Sequence, residues 1–369
     1  MAINKGLDVD LDEKLRLART ERYACQSVAK KALPNERVGI CLRNRILKRG
    51  EDKYEDIKVW QHRKTHKAFY SGLAVCGSVW TCPVCAVKIS ERRRMEIKQA
   101  FEMHKQEGGK VALLTLTFSH QKNDRLSDLM HSFGQATQKL FRGKAFDEIR
   151  NEMDLLGRIR VYEVTYGFNG FHPHTHIALF YKNDADLDLI KKRMYKLWEK
   201  ACLKVGLVTS QKHGLDLQDG QEAEAYISKH GNWSLEQELS KSHIKKAKTD
   251  SMTPFDFLRE YFKNEDEKYL KLFKEYAECF KGKRQIQWSP GLKTRFVVDE
   301  KSDDELAKEK LEEADVLGMI NYQDWRLILK SESRSKLLDR IEKYGFDLAL
   351  RMTLKKESSL AEDSRENEI

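Results

Sequence analysis

His172-Pro173-His174-Thr175-His176-Ile177-Ala178-Leu179-Phe180 sets two imidazoles two residues apart in a segment that otherwise reads as an apolar strand. Side chains alternate along a strand, so His174 and His176 share a face and can reach one ion. Neutral imidazole is a common ligand for first-row divalent metals. A solvated His-x-His strand face is the competing reading, and a third ligand with a reactive partner decides between them. In Val161-Tyr162-Glu163-Val164-Thr165, Glu163 is the only charged residue of a β-prone segment. A hairpin loop that sets Thr165 opposite His174 puts Glu163 opposite His176 on the same face, whereas a one-residue slip moves it to the other. Two imidazoles and a carboxylate suit Mn²⁺, Mg²⁺ or Zn²⁺ and leave positions open for substrate oxygens. His172, beside Pro173, is expected to shape that end of the site rather than bind metal.

Two further groups could do chemistry. Gln221 to His230 reads as a helix on which Glu222, Tyr226 and Lys229 fall on one side. A phenol is a poor nucleophile until a nearby cation or metal assists it, and Lys229 supplies positive charge beside Tyr226 or to a bound polyanion. An ordinary Glu–Tyr–Lys stripe on a helix surface is the plainer alternative. Cys76, Cys82 and Cys85 form a knuckle around Cys82-Pro83-Val84-Cys85, with Cys41 upstream and His62 and His66 between. Such a set fits tetrahedral structural Zn²⁺, with Cys41 preferred as fourth ligand over either histidine, and packed reduced thiols as the alternative. Seven cysteines is an odd number, and clustered cysteines in a reducing compartment point to metal rather than disulfides. Cys25, Cys202 and Cys279 read as core thiols.

These residues need elements to hold them. Val111 to Ser119 alternates as a strand, residues 122–157 carry helical spacing, and Ile159 to Tyr166 and residues 174–181 form strands around the turn Gly167-Phe168-Asn169-Gly170. Helix follows at 185–204 and, broken at Thr253-Pro254, across 234–282. Strand, helix, strand, strand, helix predicts an α+β domain with a central antiparallel sheet flanked by helices. It should occupy 106–300, after a basic zinc-stabilised region 1–105. Acidic 299–316 reads as a linker or exposed helix, 301–369 as a small C-terminal unit, and the tail after Lys356 as disordered.

Net charge is +10, of which about +10 lies in residues 1–105, about +4 in 106–300 and about −4 in 301–369. A basic N-terminal region favours a polyanion, though charge alone does not single out nucleic acid, and Arg92, Arg93 and Arg94 on a helix from Lys88 to Lys105 are candidates to contact one. No apolar run approaches the about 20 residues that span a bilayer, and the chain starts without an apolar signal core. A cytoplasmic protein without membrane partners is expected.

Leu114-Thr115-Leu116-Thr117, then His172 to His176, then Tyr226-Ile227-Ser228-Lys229 resemble the three ordered motifs of rolling-circle plasmid replication initiators, members of the HUH endonuclease superfamily. Gly72-Leu73 with Cys76 to Cys85, Thr253-Pro254-Phe255, and Trp288-Ser289-Pro290-Gly291-Leu292-Lys293 extend the likeness over roughly residues 38–310. The resemblance implies an HUH nuclease domain that nicks and rejoins DNA at a plasmid double-strand origin. It implies Mn²⁺ or Mg²⁺ on His174, His176 and Glu163, Tyr226 as the nucleophile, a 5′-phosphotyrosine and a free 3′-OH. Glu222 and His230 stand four residues either side of Tyr226, so the chain resembles the single-tyrosine type, with Glu222 as general base in the terminating cleavage. The implied partners are origin DNA, single-stranded at the nick and duplex nearby, with a host helicase and DNA polymerase. No Gly-x-x-x-x-Gly-Lys-Ser/Thr phosphate loop is present, so strand separation falls to the helicase. A phage initiator or transposase shares this chemistry. A zinc-containing DNA-binding regulator without catalysis is the rival from another class.

Overall fold

The computed structural model describes residues 5–48, 50–220, 251–308 and 313–355. The chain divides into two units, one comprising residues 86–302, the other pairing the chain up to Cys85 with the chain from Asp303 onward. Among the described residues no helix is long and apolar enough to cross a membrane.

In the unit of residues 86–302, β3 (Lys110–Leu116), β4 (Leu155–Gly167), β5 (Gly170–Tyr181), β6 (Leu215–Asp219) and β7 (Ile286–Trp288) form an antiparallel sheet in the order β6-β3-β5-β4-β7. Helices cover both faces, which is why both parities of the central strands are apolar. On one face Leu113, Ile159, Val161, Ala178 and Phe180 pack with Ile97 and Ala100 of α2 (Pro83–Gln106) and with Leu292 and Phe296. α3 (Leu126–Leu140) packs against β5 and against α5 (Leu187–Leu203), with the Phe133 ring edge-on to Trp198 and tilted against Tyr162 of β4.

The helical spacing of 122–157 resolves into two helices, α3 and α4 (Lys144–Met153). Gly143, at φ +90°, breaks the run, and Asp154 in the left-handed region ends α4, so that β4 starts at Leu155 rather than Ile159. α6 (Pro254–Asn264) begins at the expected break with a Thr253–Asp256 capping box and is followed by α7 (Glu267–Phe280).

The hairpin between β4 and β5 fixes the register of the histidines. Gly167 pairs with Gly170 around Phe168 and Asn169, so the turn falls on Gly167 to Gly170, as the sequence suggests. Thr165 therefore lies opposite His172, Glu163 opposite His174 and Val161 opposite His176. The expected pairing of Glu163 with His176 is off by two residues. A shift of two preserves parity, so Glu163 keeps the histidines' face. Gly170 has φ +84°, and a Cβ there would stand 2.9 Å from the Lys122 carbonyl oxygen.

The other unit holds α1 (Lys5–Ala32) and the sheet β2-β1-β8, of β1 (Ile57–His62), β2 (Ala68–Ser71) and β8 (Ala314–Ile320). β8 runs antiparallel to β1, Ile57 opposite Ile320, and α10 and α11 follow after α8 (Leu292–Arg295) and α9 (Asp303–Lys308): α10 spans Tyr322–Lys330 and α11 Arg334–Tyr344. Where the sequence suggested a separate unit over 301–369 and an N-terminal region over 1–105, these segments share one core of Ile57, Val59, Tyr70, Trp325, Ile328 and Leu337. Part of acidic 299–316 is correspondingly strand, because β8 supplies the third strand that the β1–β2 hairpin needs for a stable sheet.

Candidate metal centres

The first centre is built from short local devices. Cys82 precedes Pro83, the first residue of α2, and Cys85 follows within the first turn. Leu42, at φ +50°, donates its N–H to the Ala74 carbonyl at 2.7 Å, and Ala74 returns one to Asn44 at 2.7 Å. These bonds lay the Cys41 strip against the loop that carries Cys76. The four Sγ atoms lie within 4.8 Å of one another, with separations of 3.5 Å from Cys41 to Cys85, 3.6 Å from Cys76 to Cys85 and 3.8 Å from Cys82 to Cys41. Sulfurs at the corners of a tetrahedron with Zn–S near 2.3 Å stand about 3.8 Å apart, so the set has the size of a zinc site. All four cysteines are buried and free of disulfides.

The acid–base state of the cluster asks for a cation. Burial opposes ionisation of Cys82, yet hydrogen bonds from Cys41, Cys76 and Cys85 hold its thiol well below the ordinary value. Cys76 and Cys85 are pushed up, chiefly by their hydrogen bonds to Cys41. Four buried thiolates this close together need a divalent ion to balance their charge. His62 and His66 stay out of the cluster: the His62 Nδ1 is engaged by the Thr65 N–H at 3.1 Å on an exposed turn.

The second centre rests on strand register. Glu163 Oε2 lies 3.3 Å from His174 Nε2 and 3.3 Å from His176 Nε2. His174 Nδ1 is 3.3 Å from the His172 carbonyl oxygen, an acceptor only, so that nitrogen carries the hydrogen. The His174 Nε2 lone pair then faces a carboxylate oxygen, and acceptor meets acceptor unless a proton or metal ion sits between them. His176 Nδ1 contacts Thr115 Oγ1 at 3.1 Å, across the β3–β5 pairing of Thr115 with His176. Anchoring the far ring nitrogen is how metal-binding histidines are oriented. Burial works to raise the Glu163 carboxyl, but His174 and His176 outweigh it and hold Glu163 well below the usual carboxylate range. The donor set therefore fits a divalent metal.

Beside this trio, His172 Nε2 meets Thr117 Oγ1 at 2.9 Å and His172 Nδ1 meets His120 Nε2 at 3.3 Å. Burial, with His174 and His120 close by, pushes His172 down to about 4, so its ring is neutral. A cleft of about 280 Å³ opens there, lined by Thr117, His120, Asn169, His172, Ser210 and His213 among others. The sequence reading assigned nothing to His120 or to the Thr115 and Thr117 hydroxyls. Their signal was available: Thr115, Thr117 and Ser119 put hydroxyls on one parity of a strand whose other parity is apolar.

A family profile described as Replication protein matches residues 72–334. The chain belongs to that family. The motif resemblance is thereby met at the level of replication proteins, and the matched span holds both ligand sets except Cys41. The chain is 28% identical to "Protein rep" of Streptomyces lividans, covering 62% of this chain and 65% of that protein. It is 35% identical to a "Neomycin resistance protein" of Streptomyces cyanogenus over 28% of this chain and 30% of that protein. The chain thus spans less than two thirds of either relative's length. No solved structure matches it.

The remaining candidates of this replication protein family member fall in two places. Glu222, Tyr226 and Lys229 lie outside the described residues. Arg92, Arg93 and Arg94 are half-buried on α2: Arg93 pairs with Glu96 at 2.9 Å and donates to the Lys301 carbonyl at 2.8 Å, and Arg94 pairs with Glu91 at 2.8 Å. At least Arg93 and Arg94 already spend their guanidinium donors within the fold.

Proposed function

We propose that this protein initiates rolling-circle replication of a plasmid by nicking one strand at the double-strand origin, as an HUH nuclease of the single-tyrosine type. The observation that carries the reading is the convergence of Glu163 Oε2, His174 Nε2 and His176 Nε2, a donor set that fits a divalent cation, in a member of the replication protein family. Mn²⁺ or Mg²⁺ held by these residues supplies a Lewis acid that polarises a phosphate oxygen and orients the phosphate. The Tyr226 phenol attacks the scissile phosphorus. Its O–P bond forms as the phosphorus–O3′ bond breaks, the phenolic proton is lost, and the departing 3′-oxygen takes up a proton. The products are a 5′-phosphotyrosine and a 3′-OH that primes a host polymerase behind a host helicase. No nucleotide is consumed, because one phosphodiester replaces another.

Tyr226 stands seven residues beyond the end of β6, a strand of the same sheet as the ligands. Lys229 offers positive charge to the phosphate. Glu222 acts as general base for the water of the terminating cleavage, which releases the protein. The four-cysteine cluster holds Zn²⁺ and orders the start of α2, whose Arg92, Arg93 and Arg94 remain candidates for contacts to origin duplex. The test is incubation with Mn²⁺ and a single-stranded oligonucleotide carrying the nick sequence, followed by denaturing electrophoresis. Wild type should run as a covalent adduct and Tyr226→Phe should not. No adduct from wild type favours a non-catalytic DNA-binding regulator, and an undiminished adduct from Tyr226→Phe removes Tyr226 from the role.

A further inference from the structure

The segment Trp288-Ser289-Pro290-Gly291-Leu292-Lys293 has no part in the nicking centre, yet it is anchored with care. Ser289 Oγ accepts from the Arg158 N–H at 2.8 Å, donates to the Arg158 carbonyl at 3.1 Å, and the Ser289 N–H donates to that carbonyl at 2.9 Å. Gly291, at φ +77°, turns the chain so that Leu292 seats against Gly157, where a Cβ would stand 3.1 Å from the Leu292 side chain. The anchored segment forms one wall of a groove of about 520 Å³, whose lining includes Arg142, Arg150, Arg158, Arg160, Phe141 and Trp288. Arg158 and Arg160 alternate with Ile159, Val161 and Glu163 along β4, so they project from the sheet face opposite Glu163. Arg160 lies three residues, or about 10 Å of strand, from the metal trio.

Four arginines line this groove, and none of its lining residues is acidic. Arg150 has a partner in Asp147 at 3.1 Å, and Arg160 bonds Gln287 and lies 4.7 Å over the Tyr162 ring. Among the described residues no carboxylate meets Arg142, which is exposed, or Arg158, which is half-buried with its guanidinium 4.0 Å over the Phe141 ring. Burial, together with Arg160 beside it, lowers Arg158, the direction expected of a desolvated cation lacking a counter-charge. An anion entering the groove relieves that cost, and a guanidinium fork matches a phosphate. Half-buried Phe141, under the Arg158 guanidinium, sets an aromatic ring among these charges, the combination of charge and aromatics that tracks a single strand.

We propose that this groove binds the phosphate backbone of single-stranded DNA, away from the nicking centre, with Trp288, Ser289 and Pro290 closing one side of it. The choice of DNA as the polyanion rests on the proposed function; the groove's affinity for phosphate does not.

Full-length protein without added divalent metal, titrated with a fluorescent single-stranded oligonucleotide of mixed sequence over a range of salt, tests this. Arg142→Ala should bind about three- to tenfold more weakly near 0.1 M salt, with the slope of log K against log salt shallower by about 0.7 for each phosphate no longer neutralised. Arg158→Gln should do the same. If Arg158→Gln fails to fold, Arg142→Ala, which removes an exposed side chain, still decides. Wild-type affinity and slope in Arg142→Ala overturn the proposal, as does weakening confined to duplex DNA or to an acidic protein partner. Adduct formation with Mn²⁺ is scored separately: its absence in wild type sinks the nicking reading and leaves the groove standing.

Discussion

The two ligand sets differ in how they are closed. The cysteines are buried, belong to the protein on all four corners and come from loops and a helix start within 45 residues of one another, Cys41 to Cys85. The Glu163 set offers three ligands from neighbouring strands, and its side chains keep 10% to 15% of their surface accessible. A closed tetrahedron of thiolates is architecture, whereas an incomplete set at the edge of a cleft leaves coordination positions for substrate. The comparison assigns stability to one centre and turnover to the other, and it can be broken from either side.

The largest separation should come from Cys82→Ser. Metal analysis should fall from about one zinc per chain to near zero, and thermal melting should show the unit built around β1, β2 and β8 failing to fold, since structural zinc contributes about 10–16 kcal/mol of apparent binding free energy in small domains. Glu163→Ala should leave zinc content and melting unchanged while reducing adduct formation by more than the about 10- to 100-fold that loss of an outer-shell partner costs. Thr115→Val, which removes the hydroxyl 3.1 Å from His176 Nδ1, should fall within that about 10- to 100-fold range as a loss of Mn²⁺ affinity, read by titrating Mn²⁺ against nicking rate. The smallest effect belongs to Gly170→Ala. Forcing a Cβ at φ +84° against Lys122 should cost about 1–3 kcal/mol, seen as a lower Tm at unchanged zinc content. Loss of zinc from Glu163→Ala, or an undiminished adduct from Thr115→Val, would merge the two roles and end the comparison.

Legibility followed locality. Cys82-Pro83-Val84-Cys85 and His174-Thr175-His176 announce ligands because their spacing is set within a turn or along one strand. Glu163 was visible as an isolated charge, but its partner depended on whether the hairpin is centred between Phe168 and Asn169, as here, or one residue further along, and the glycines on both sides of that pair permit either. The Thr115 and Thr117 hydroxyls act across strands on His176 and His172, 61 and 55 residues away, and a periodicity argument records them only as strand. β8 joins β1 across more than 250 residues, a pairing that leaves no local pattern in either segment. For the same reason Arg142 between α3 and α4, Arg150 of α4 and the two arginines of β4 read singly as surface charge until the fold brings them into one groove.

The most direct test of the account is to map the bond itself. The Mn²⁺-dependent adduct with a nick-site oligonucleotide, trimmed with nuclease and protease and sequenced by tandem mass spectrometry, should carry its nucleotide on Tyr226, with none formed by Glu163→Ala. A nucleotide on any other residue, or an adduct of equal yield from Glu163→Ala, would contradict it.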